Sequence, residues 1–184
     1  MGGDIQVASR LGEGSVFTVR LPLTRLGDSE PHAVRDEAFE APPLRDGSAL
    51  RILAAEDNAM NQLVLRTLLA QVGVEVTCVD NGELAVAAAA SGDWDAILMD
   101  VQMPVMDGPT ATRLIRQWEQ AEGRRRTPII ALTANAMAHH EAEYAAVGMD
   151  VLVPKPLELE RLLIAIQTVL EATDAEPQAA VSCG

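Results

Sequence analysis

Near the middle of the chain stands the stretch Ala96-Ile97-Leu98-Met99-Asp100, four apolar residues followed at once by an acid. Four other short and mainly apolar runs occupy residues 52–55, 74–79, 129–132 and 151–153. Segments with helical spacing of apolar residues separate the runs, such as Met60, Val64, Leu68 and Val72, or Leu162, Leu163, Ile166, Val169 and Leu170. Apolar strands that alternate with amphipathic helices predict an α/β fold, a doubly wound (βα)5 unit with a five-stranded parallel sheet.

Composition limits the classes of function. The chain has 184 residues, and Asp plus Glu (27) exceed Lys plus Arg (14), for a net charge of −13. Such a surface repels phosphate backbones and anionic lipids, so we expect no nucleic-acid partner and no membrane contact by this segment. Two distant cysteines, Cys78 and Cys183, make neither a disulfide framework nor a zinc motif, which favours a cytoplasmic location. No apolar run approaches the roughly 20 residues that span a bilayer.

The pattern changes along the chain and divides it into four segments. Residues 1–23 carry two alternating runs joined by a glycine-containing loop, which predicts a β-hairpin. Because two strands alone are at best marginally stable in water, we expect this hairpin to be the end of a larger domain. Residues 24–49 contain three prolines and no periodic apolar pattern, which is typical of a linker. The α/β domain is expected over 50–171 and a flexible tail over 172–184.

Reactive side chains fall where four of the predicted strands end. Glu56 and Asp57 follow the first strand, Asp100 follows the third, Thr133 the fourth and Lys155 the fifth. The carboxyl ends of parallel strands meet at one edge of the sheet, so these groups are expected to converge. Three carboxylates brought together repel one another unless a cation lies among them, and such oxygen ligands suit Mg²⁺. With a lysine and a hydroxyl opposite an Asp nucleophile, the set fits phosphoryl transfer to a carboxylate.

Three of these residues also have an ordinary structural explanation. Asp57, which precedes Asn58, could merely cap the first helix, and Thr133 could cap the fourth. Lys155 could be a solvated surface lysine. Each explanation alone is about as good as the functional one, but reactive groups at all four strand ends together favour a site.

Four segments resemble the receiver domain of two-component response regulators. They are residues 52–58 (ILAAEDN), 98–108 (LMDVQMPVMDG), 131–134 (ALTA) and 148–156 (GMDVLVPKP). The resemblance implies that Asp100 is the phosphoacceptor, which takes its phosphoryl group from the phosphohistidine of a histidine kinase or a histidine phosphotransfer domain. It implies that Thr133 and Lys155 hold the phosphoryl oxygens. The implied Mg²⁺ ligands are Glu56, Asp57, Asp100 and the backbone carbonyl of Gln102.

Two positions depart from the family pattern. Receivers often have an aromatic residue three positions before the lysine, where this chain has Leu152, so the usual aromatic switch is in doubt. Pro154 directly before Lys155 lacks a backbone donor and is expected to stiffen that loop. The family also implies a possible homodimer through the face made by the fourth helix, fifth strand and fifth helix of the receiver.

The amino-terminal hairpin resembles, more weakly, the closing strands of the ATP-binding domain of histidine kinases. The order of kinase end, linker and receiver is similar to that of a hybrid sensor histidine kinase, whose parent protein can be anchored in a membrane. The nucleotide-binding asparagine, the Asp-x-Gly-x-Gly loop and the phosphorylatable histidine of that family are missing from this chain. We therefore expect no stand-alone kinase activity, only phosphorylation and dephosphorylation at Asp100. His139 and His140 are expected on the fourth helix as ordinary polar residues.

Two other functions remain open at this point. A phosphatase of the haloacid dehalogenase type also uses Asp, Thr, Lys and Mg²⁺, but it carries its nucleophile on the first strand, whereas here Asp100 follows the third. A receiver-like docking module that never takes phosphate is the other alternative. Turnover of a small phosphomonoester distinguishes the first alternative, and failure to accept phosphate distinguishes the second.

Overall fold

The described part of the chain consists of two units, an amino-terminal hairpin and a five-stranded α/β unit. The structure is a computed structural model, and it describes residues 4–10, 14–20, 50–134 and 138–175. The predicted linker and Cys183 lie outside these residues. Among the described helices, none combines the length and the apolar character needed to cross a bilayer.

The hairpin pairs β1 (Asp4–Arg10) with β2 (Gly14–Arg20) in antiparallel register, as predicted. Ile5 lies opposite Val19 and Val7 opposite Phe17. Since alternate residues of a strand share a face, these four apolar side chains lie on the same side of the hairpin. All four are more than half exposed.

The second unit is a parallel sheet with helices between its strands, which confirms the predicted (βα)5 fold. Its strands are β3 (Arg51–Ala55), β4 (Glu75–Val79), β5 (Ala96–Asp100), β6 (Ile129–Thr133) and β7 (Val151–Pro154). Its helices are α1 (Ala59–Ala70), α2 (Gly82–Ser91), α3 (Gly108–Ala121), α4 (Ala138–Ala146) and α5 (Leu159–Ala175). The strand order is β4-β3-β5-β6-β7, so the direction of winding reverses between β3 and β5.

Two separate hydrophobic clusters cover the two faces of the sheet. Ile52 and Ala54 of β3 belong to one cluster, while Leu53 and Ala55 belong to the other. The first cluster contains the buried residues of α1 and α5, and the second contains those of α2 and α3. The central strands β5 and β6 are buried at every position, which explains why each is apolar up to its last residue, Asp100 in β5 and Thr133 in β6.

Helix α1 buries a different stripe from the one that steps of four indicate. Its buried side chains are Leu65 and Leu69, whereas Met60 and Val64 are exposed. A helix turns about 100° per residue, so a repeat of four drifts around the helix by roughly 40° at each step. The apolar side chains at the start of α1 therefore lie on the surface of the unit.

Two prolines, Pro109 and Pro154, lie where a helix start and a strand end tolerate them. Pro109 lies in the first turn of α3, where its missing N–H is not needed, as expected. Pro154 is the last residue of the edge strand β7, a position where a strand tolerates proline.

At the carboxyl end of the domain, α5 runs to Ala175 and extends into the segment predicted as tail. Within that extension Thr173 Oγ1 donates to the carbonyl of Val169 at 2.5 Å.

A cluster of charged side chains joins α3 to the amino-terminal edge of the sheet. The guanidinium of Arg116 donates to the carbonyls of Gly148 and Thr127 and forms ion pairs with Glu119 at 2.7 Å and Asp150 at 3.1 Å. Glu119 is 4% exposed. Such a buried carboxylate is tolerated because it is both paired and hydrogen-bonded.

The same cluster includes the basic loop that leads into β6. Arg126 pairs with Asp150 at 2.6 Å, and the backbone N–H of Ile129 donates to the same carboxylate at 2.8 Å. Two arginines, Arg116 and Arg126, thus face two acids, Glu119 and Asp150. We call these four residues the amino-edge cluster.

Candidate active site at the carboxyl edge of the sheet

The strand order brings the predicted residues to one edge of the sheet. Glu56 follows β3, Asp100 ends the adjacent β5, Thr133 ends β6, and Lys155 follows β7. The reversal of winding between β3 and β5 opens a crevice at their carboxyl ends, which is where ligands bind in this class of sheet. Asp57 lies beside Glu56 in that crevice.

Lys155 is the cation of the site. Its Nζ lies 2.6 Å from Oε2 of Glu56 and 2.7 Å from Oδ2 of Asp100. Its backbone N–H donates to the carbonyl of Thr133 at 2.7 Å, which ties the residue to the end of β6. The peptide bond from Lys155 to Pro156 is cis. The explanation of Lys155 as a solvated surface lysine is therefore wrong.

Three carboxylates surround the position expected for a metal ion. Glu56, Asp57 and Asp100 each offer one oxygen, and these oxygens lie within 4.8 Å of one another. Glu56 and Asp100 are buried, while Asp57 is exposed and opens the set to solvent. A donor set made only of oxygens, with one side open to water, fits Mg²⁺.

The N-cap of α1 is Asn58 and not Asp57. Oδ1 of Asn58 accepts from the backbone N–H groups of Met60 and Asn61. The capping explanation for Asp57 is therefore wrong, and its carboxylate is left to the site. Thr133 is the last residue of β6 and is 3% exposed.

Burial and charge shift the ionisation of the two central groups. Burial raises the pKa of Asp100 and the nearby charge of Glu56 adds to the rise, against the hydrogen bond and charge of Lys155. Burial by itself lowers the pKa of Lys155, but the hydrogen bonds and charges of Asp100 and Glu56 outweigh it and leave that pKa raised. The folded structure thus favours the charged form of Lys155 and disfavours the charged form of Asp100.

The loop after Asp100 shapes the mouth of the site. The backbone N–H of Gln102 donates to Oδ1 of Asp100 at 3.3 Å. Further along, Met106 N–H donates to the carbonyl of Pro104 across Val105, which has φ +68°. A positive φ is unfavourable for a β-branched residue, so this turn stores strain. An open cavity of about 520 Å³ lies between the loop and Asp57.

Gly108 sets how closely α3 approaches β5, the strand that ends in Asp100. A Cβ at this position would overlap the carbonyl oxygen of Asp100, and it would lie 3.0 Å from Cγ of Met99. The backbone N–H of Gly108 donates to the carbonyl of Val101 at 3.1 Å. Only a residue without a side chain allows the helix to begin this close to the strand that carries Asp100.

Two further polar residues, Asn61 and Gln62, contact the site, and the sequence analysis did not identify them. Asn61 Nδ2 donates to Oε1 of Glu56 at 2.7 Å. Gln62 Nε2 donates to the carbonyl of Glu56 at 2.7 Å and to Oδ1 of Asp80 at 2.8 Å. The available signal was a pair of adjacent amides in the first turn of the helix that follows the acidic pair.

Leu152 and the two histidines lie on β7 and α4. Leu152, at the position where the family often has an aromatic residue, is half-buried on β7 and packs against the cluster that also contacts Tyr144. His139 and His140 lie on α4, and their side chains are outside the described part of the structure.

Comparison with known proteins agrees with this geometry. The family model described as the response regulator receiver domain matches residues 52–167. The sensor protein GacS of Pseudomonas syringae pv. syringae is 43% identical over 143 residues, which cover 78% of this chain and 15% of that protein. The chain thus spans about one seventh of the length of this relative.

Two solved structures are similar as well. One is the receiver domain of the sensor histidine kinase PA1611 from Pseudomonas aeruginosa PAO1 with a magnesium ion in its active-site cleft, with 40% identity and a TM-score of 0.61, covering 67% of this chain and 99% of that one. The other is the co-crystal structure of Ypd1 and the receiver domain of Ssk1 from Saccharomyces cerevisiae, with 28% identity and a TM-score of 0.62, covering 71% of this chain and 94% of the matched one. The chain belongs to the response regulator receiver domain family.

Proposed function

We propose that this receiver domain accepts a phosphoryl group from a phosphohistidine onto Asp100. The observation that carries the proposal is the position of Lys155, whose Nζ lies 2.7 Å from Asp100 Oδ2 and 2.6 Å from Glu56 Oε2. A carboxylate at a strand end, next to an ammonium group and an oxygen-rich metal position, has the composition that phosphoryl transfer to an acid requires.

The transfer exchanges one bond to phosphorus for another. A carboxylate oxygen of Asp100 forms a bond to phosphorus, while the bond between phosphorus and the histidine nitrogen breaks. The electron pair of the broken bond stays on the imidazole, and Asp100 becomes an acyl phosphate. Lys155 offsets the negative charge of the phosphoryl oxygens, and the hydroxyl of Thr133 donates to one of them.

The residues that would hold Mg²⁺ are Glu56, Asp57, Asp100 and the backbone carbonyl of Gln102. Asp57 and Asp100 are expected to bind directly, and Glu56 mainly through water, since its carboxylate is buried against Lys155. When bound, the ion supplies positive charge that offsets the charge of the phosphoryl oxygens. Its fit rests on the oxygen-only donor set of three carboxylates, of which two form ion pairs with Lys155.

The surface beside Asp57 suits the protein that brings the phosphohistidine. Met60, Leu63 and Val64 are 66%, 57% and 37% exposed, and they lie in the first two turns of α1, the helix that follows the acidic pair. Exposed apolar side chains next to a reactive group mark a surface for a protein partner. We expect a histidine phosphotransfer domain to bind here, as the co-crystal structure of Ypd1 with the Ssk1 receiver pairs two such proteins.

Mass measurement of the intact chain after incubation with Mg²⁺ and acetyl phosphate tests the proposal. We expect one hydroxylamine-labile phosphoryl adduct, which does not form in EDTA. Asp100→Ala should abolish it, while Asp93→Asn, at an exposed carboxylate on the opposite edge of the sheet, should label like the wild type. An adduct that persists in Asp100→Ala contradicts the assignment of the acceptor. If the wild-type chain forms no adduct while it still binds Mg²⁺, the result supports a docking module instead.

The parent protein is proposed to be a hybrid sensor histidine kinase with this receiver in the cytoplasm. In that arrangement residues 1–23 close the ATP-binding domain, 24–49 form the linker, and a tail follows the end of α5. The exposed apolar face of the hairpin, with Ile5 and Phe17, supports a covering domain that precedes it. Limited proteolysis of the parent checks this, because the hairpin should resist cleavage while the linker is cut.

Pairing of two receivers is a further part of the proposal. The face formed by α4, β7 and α5 is where two phosphorylated copies are expected to meet. Sedimentation velocity with and without acetyl phosphate tests this expectation, since a dimer should form only under phosphorylating conditions.

No binding to nucleic acid is expected, because the net charge of the chain is −13.

A further inference from the structure

Glu56 is the most deeply buried acid of the site, and its two carboxylate oxygens have different partners. Oε2 contacts Nζ of Lys155 at 2.6 Å, and Oε1 accepts from Nδ2 of Asn61 at 2.7 Å. The side chain of Glu56 is 1% exposed. A buried carboxylate needs a donor at each oxygen to offset its lost hydration, and these two contacts provide them.

The amide of Asn61 determines which oxygen is left for Lys155. The terminal torsion of a glutamate is broad and roughly two-fold, so nothing intrinsic to the side chain fixes the plane of its carboxylate. The other donor near Oε1 is the backbone N–H of Asn58, at the longer distance of 3.4 Å. Without the Asn61 donor, the orientation of the Glu56 carboxylate depends on Lys155 and this long contact.

Helix α1 holds Asn61 in place for this contact. The N-cap Asn58 bonds to the N–H groups of Met60 and Asn61 and so fixes the first turn. Gln62, the next residue, donates to the carbonyl of Glu56 at 2.7 Å. The first turn of α1 is therefore bonded to Glu56 through both its backbone and its side chain, and it cannot shift without moving the acid.

We propose that Asn61 is a positioning residue of the metal site. By holding Oε1 of Glu56, it directs Oε2 toward Lys155 and keeps the three carboxylates in the arrangement that accepts Mg²⁺. This inference rests on the proposed function, since it assigns to Asn61 a role in the affinity for the ion used there. Asn61 does not contact the phosphoryl group, and it acts only through Glu56.

Calorimetric titration of the full chain with Mg²⁺ tests the role. Loss of a group that orients a metal ligand typically weakens metal binding 10- to 100-fold, and we expect Asn61→Ala to raise the dissociation constant roughly 10-fold. Asn61→Leu, which keeps the volume but has no donor, should do the same. Asn61→Gln, which retains an amide on a longer side chain, should recover most of the affinity.

The matched control is Asn81→Ala. Asn81 caps α2 at the same edge of the sheet, and its side chain accepts from the N–H of Leu84. This variant should lose stability but keep the wild-type affinity for Mg²⁺. If Asn81→Ala weakens Mg²⁺ binding as much as Asn61→Ala does, the effect comes from general loosening of this edge and the positioning role is overturned.

Asp57→Asn separates this inference from the proposed function. If Asp57→Asn weakens Mg²⁺ binding and Asn61→Ala does not, the positioning role alone is wrong. If Asp57→Asn also leaves the affinity unchanged, the carboxylates do not hold the ion, and the metal part of the proposed function fails with it. Weaker Mg²⁺ binding by Asn61→Ala, together with an affinity of Asn61→Gln close to that of the wild type, supports the positioning role.

Discussion

The two edges of the sheet both bury charged groups, but they balance them differently. In the amino-edge cluster two arginines, Arg116 and Arg126, face two acids, Glu119 and Asp150. At the carboxyl edge three acids gather, Glu56, Asp57 and Asp100, and Lys155 forms ion pairs with Glu56 and Asp100. The balanced cluster can stabilise the fold by itself. The unbalanced one keeps excess negative charge at the place where a cation and a phosphoryl group are expected to bind.

Removing a cation from the balanced edge should have the largest effect on stability. Arg116→Met keeps the apolar stem but leaves Glu119, which is 4% exposed, as a buried acid without its partner. We expect the free energy of unfolding in urea to fall by roughly 3 kcal/mol, the usual cost of breaking a buried pair. Arg113→Met, at an exposed arginine of the same helix, should change it by less than about 0.5 kcal/mol. A loss below about 1 kcal/mol for Arg116→Met would show that the cluster is not structural.

The close contact at the other edge can be broken at Gly108. In Gly108→Ala the new methyl group overlaps the carbonyl of Asp100, so the strand that carries the acceptor must shift. We expect a loss of about 2 kcal/mol on unfolding and slower labelling by acetyl phosphate. Gly123→Ala is the control, because Gly123 has φ +60° and no atom near its Cβ position. It should lose stability through backbone strain and still label normally. Normal labelling of Gly108→Ala would contradict the steric role.

Neutralising the acceptor should stabilise the domain near neutral pH. The pKa of Asp100 is raised in the folded protein, mainly by burial, so the folded state favours the protonated form. Protonated Asp100 stabilises the folded state fully below the ordinary Asp pKa of 3.8. This stabilisation is lost as the pH rises through the raised pKa that Asp100 has in the folded state. Asp100→Asn should therefore gain about 1 kcal/mol at pH 7, and the gain should vanish below pH 3.8. Thermal unfolding without Mg²⁺ over this pH range measures it, and a pH-independent gain would contradict the cause.

The smallest expected effect concerns the strained turn over the site. Val105 has φ +68° and is 79% exposed, so it contributes strain and little packing. Val105→Gly removes a strain of about 1–3 kcal/mol and costs roughly 0.5–1 kcal/mol in chain entropy. We expect a net gain near 1 kcal/mol in the free energy of unfolding. An unchanged or lower stability would show that the turn is not strained in solution.

Much of the fold follows from local pattern. The five mainly apolar runs each became a strand of the sheet. The inner strands β3, β5 and β6 are apolar at successive positions because they are covered on both faces. The stripe of α5 with Leu162 and Ile166 is buried as its spacing predicts. The stripe of α1 is not, since Leu65 and Leu69 are buried where steps of four pointed to Met60 and Val64. Spacing shows that a helix is amphipathic, but the neighbours decide which side it buries.

The candidate site was predictable in its members but not in its contacts. Glu56, Asp57, Asp100 and Lys155 could be named because strand ends in a parallel sheet share one edge. That Lys155 lies between Glu56 and Asp100 depends on side-chain distances that no sequence pattern contains. The role of Asn61 could not be predicted for the same reason, since an amide in the first turn of a helix indicates no function until its hydrogen-bond partner is known.

The sequence by itself determined the class of fold and the edge where the reactive groups meet. Periodicity and strand-end position are local properties of a chain, and they suffice for these conclusions. Only the tertiary structure decided that the arginine loop at Arg126 joins Arg116, Glu119 and Asp150 in a balanced cluster, and that Asn61 holds Glu56. These contacts join residues distant in the chain or on different elements, and their energies depend on burial and separation, which arise only when the chain has packed.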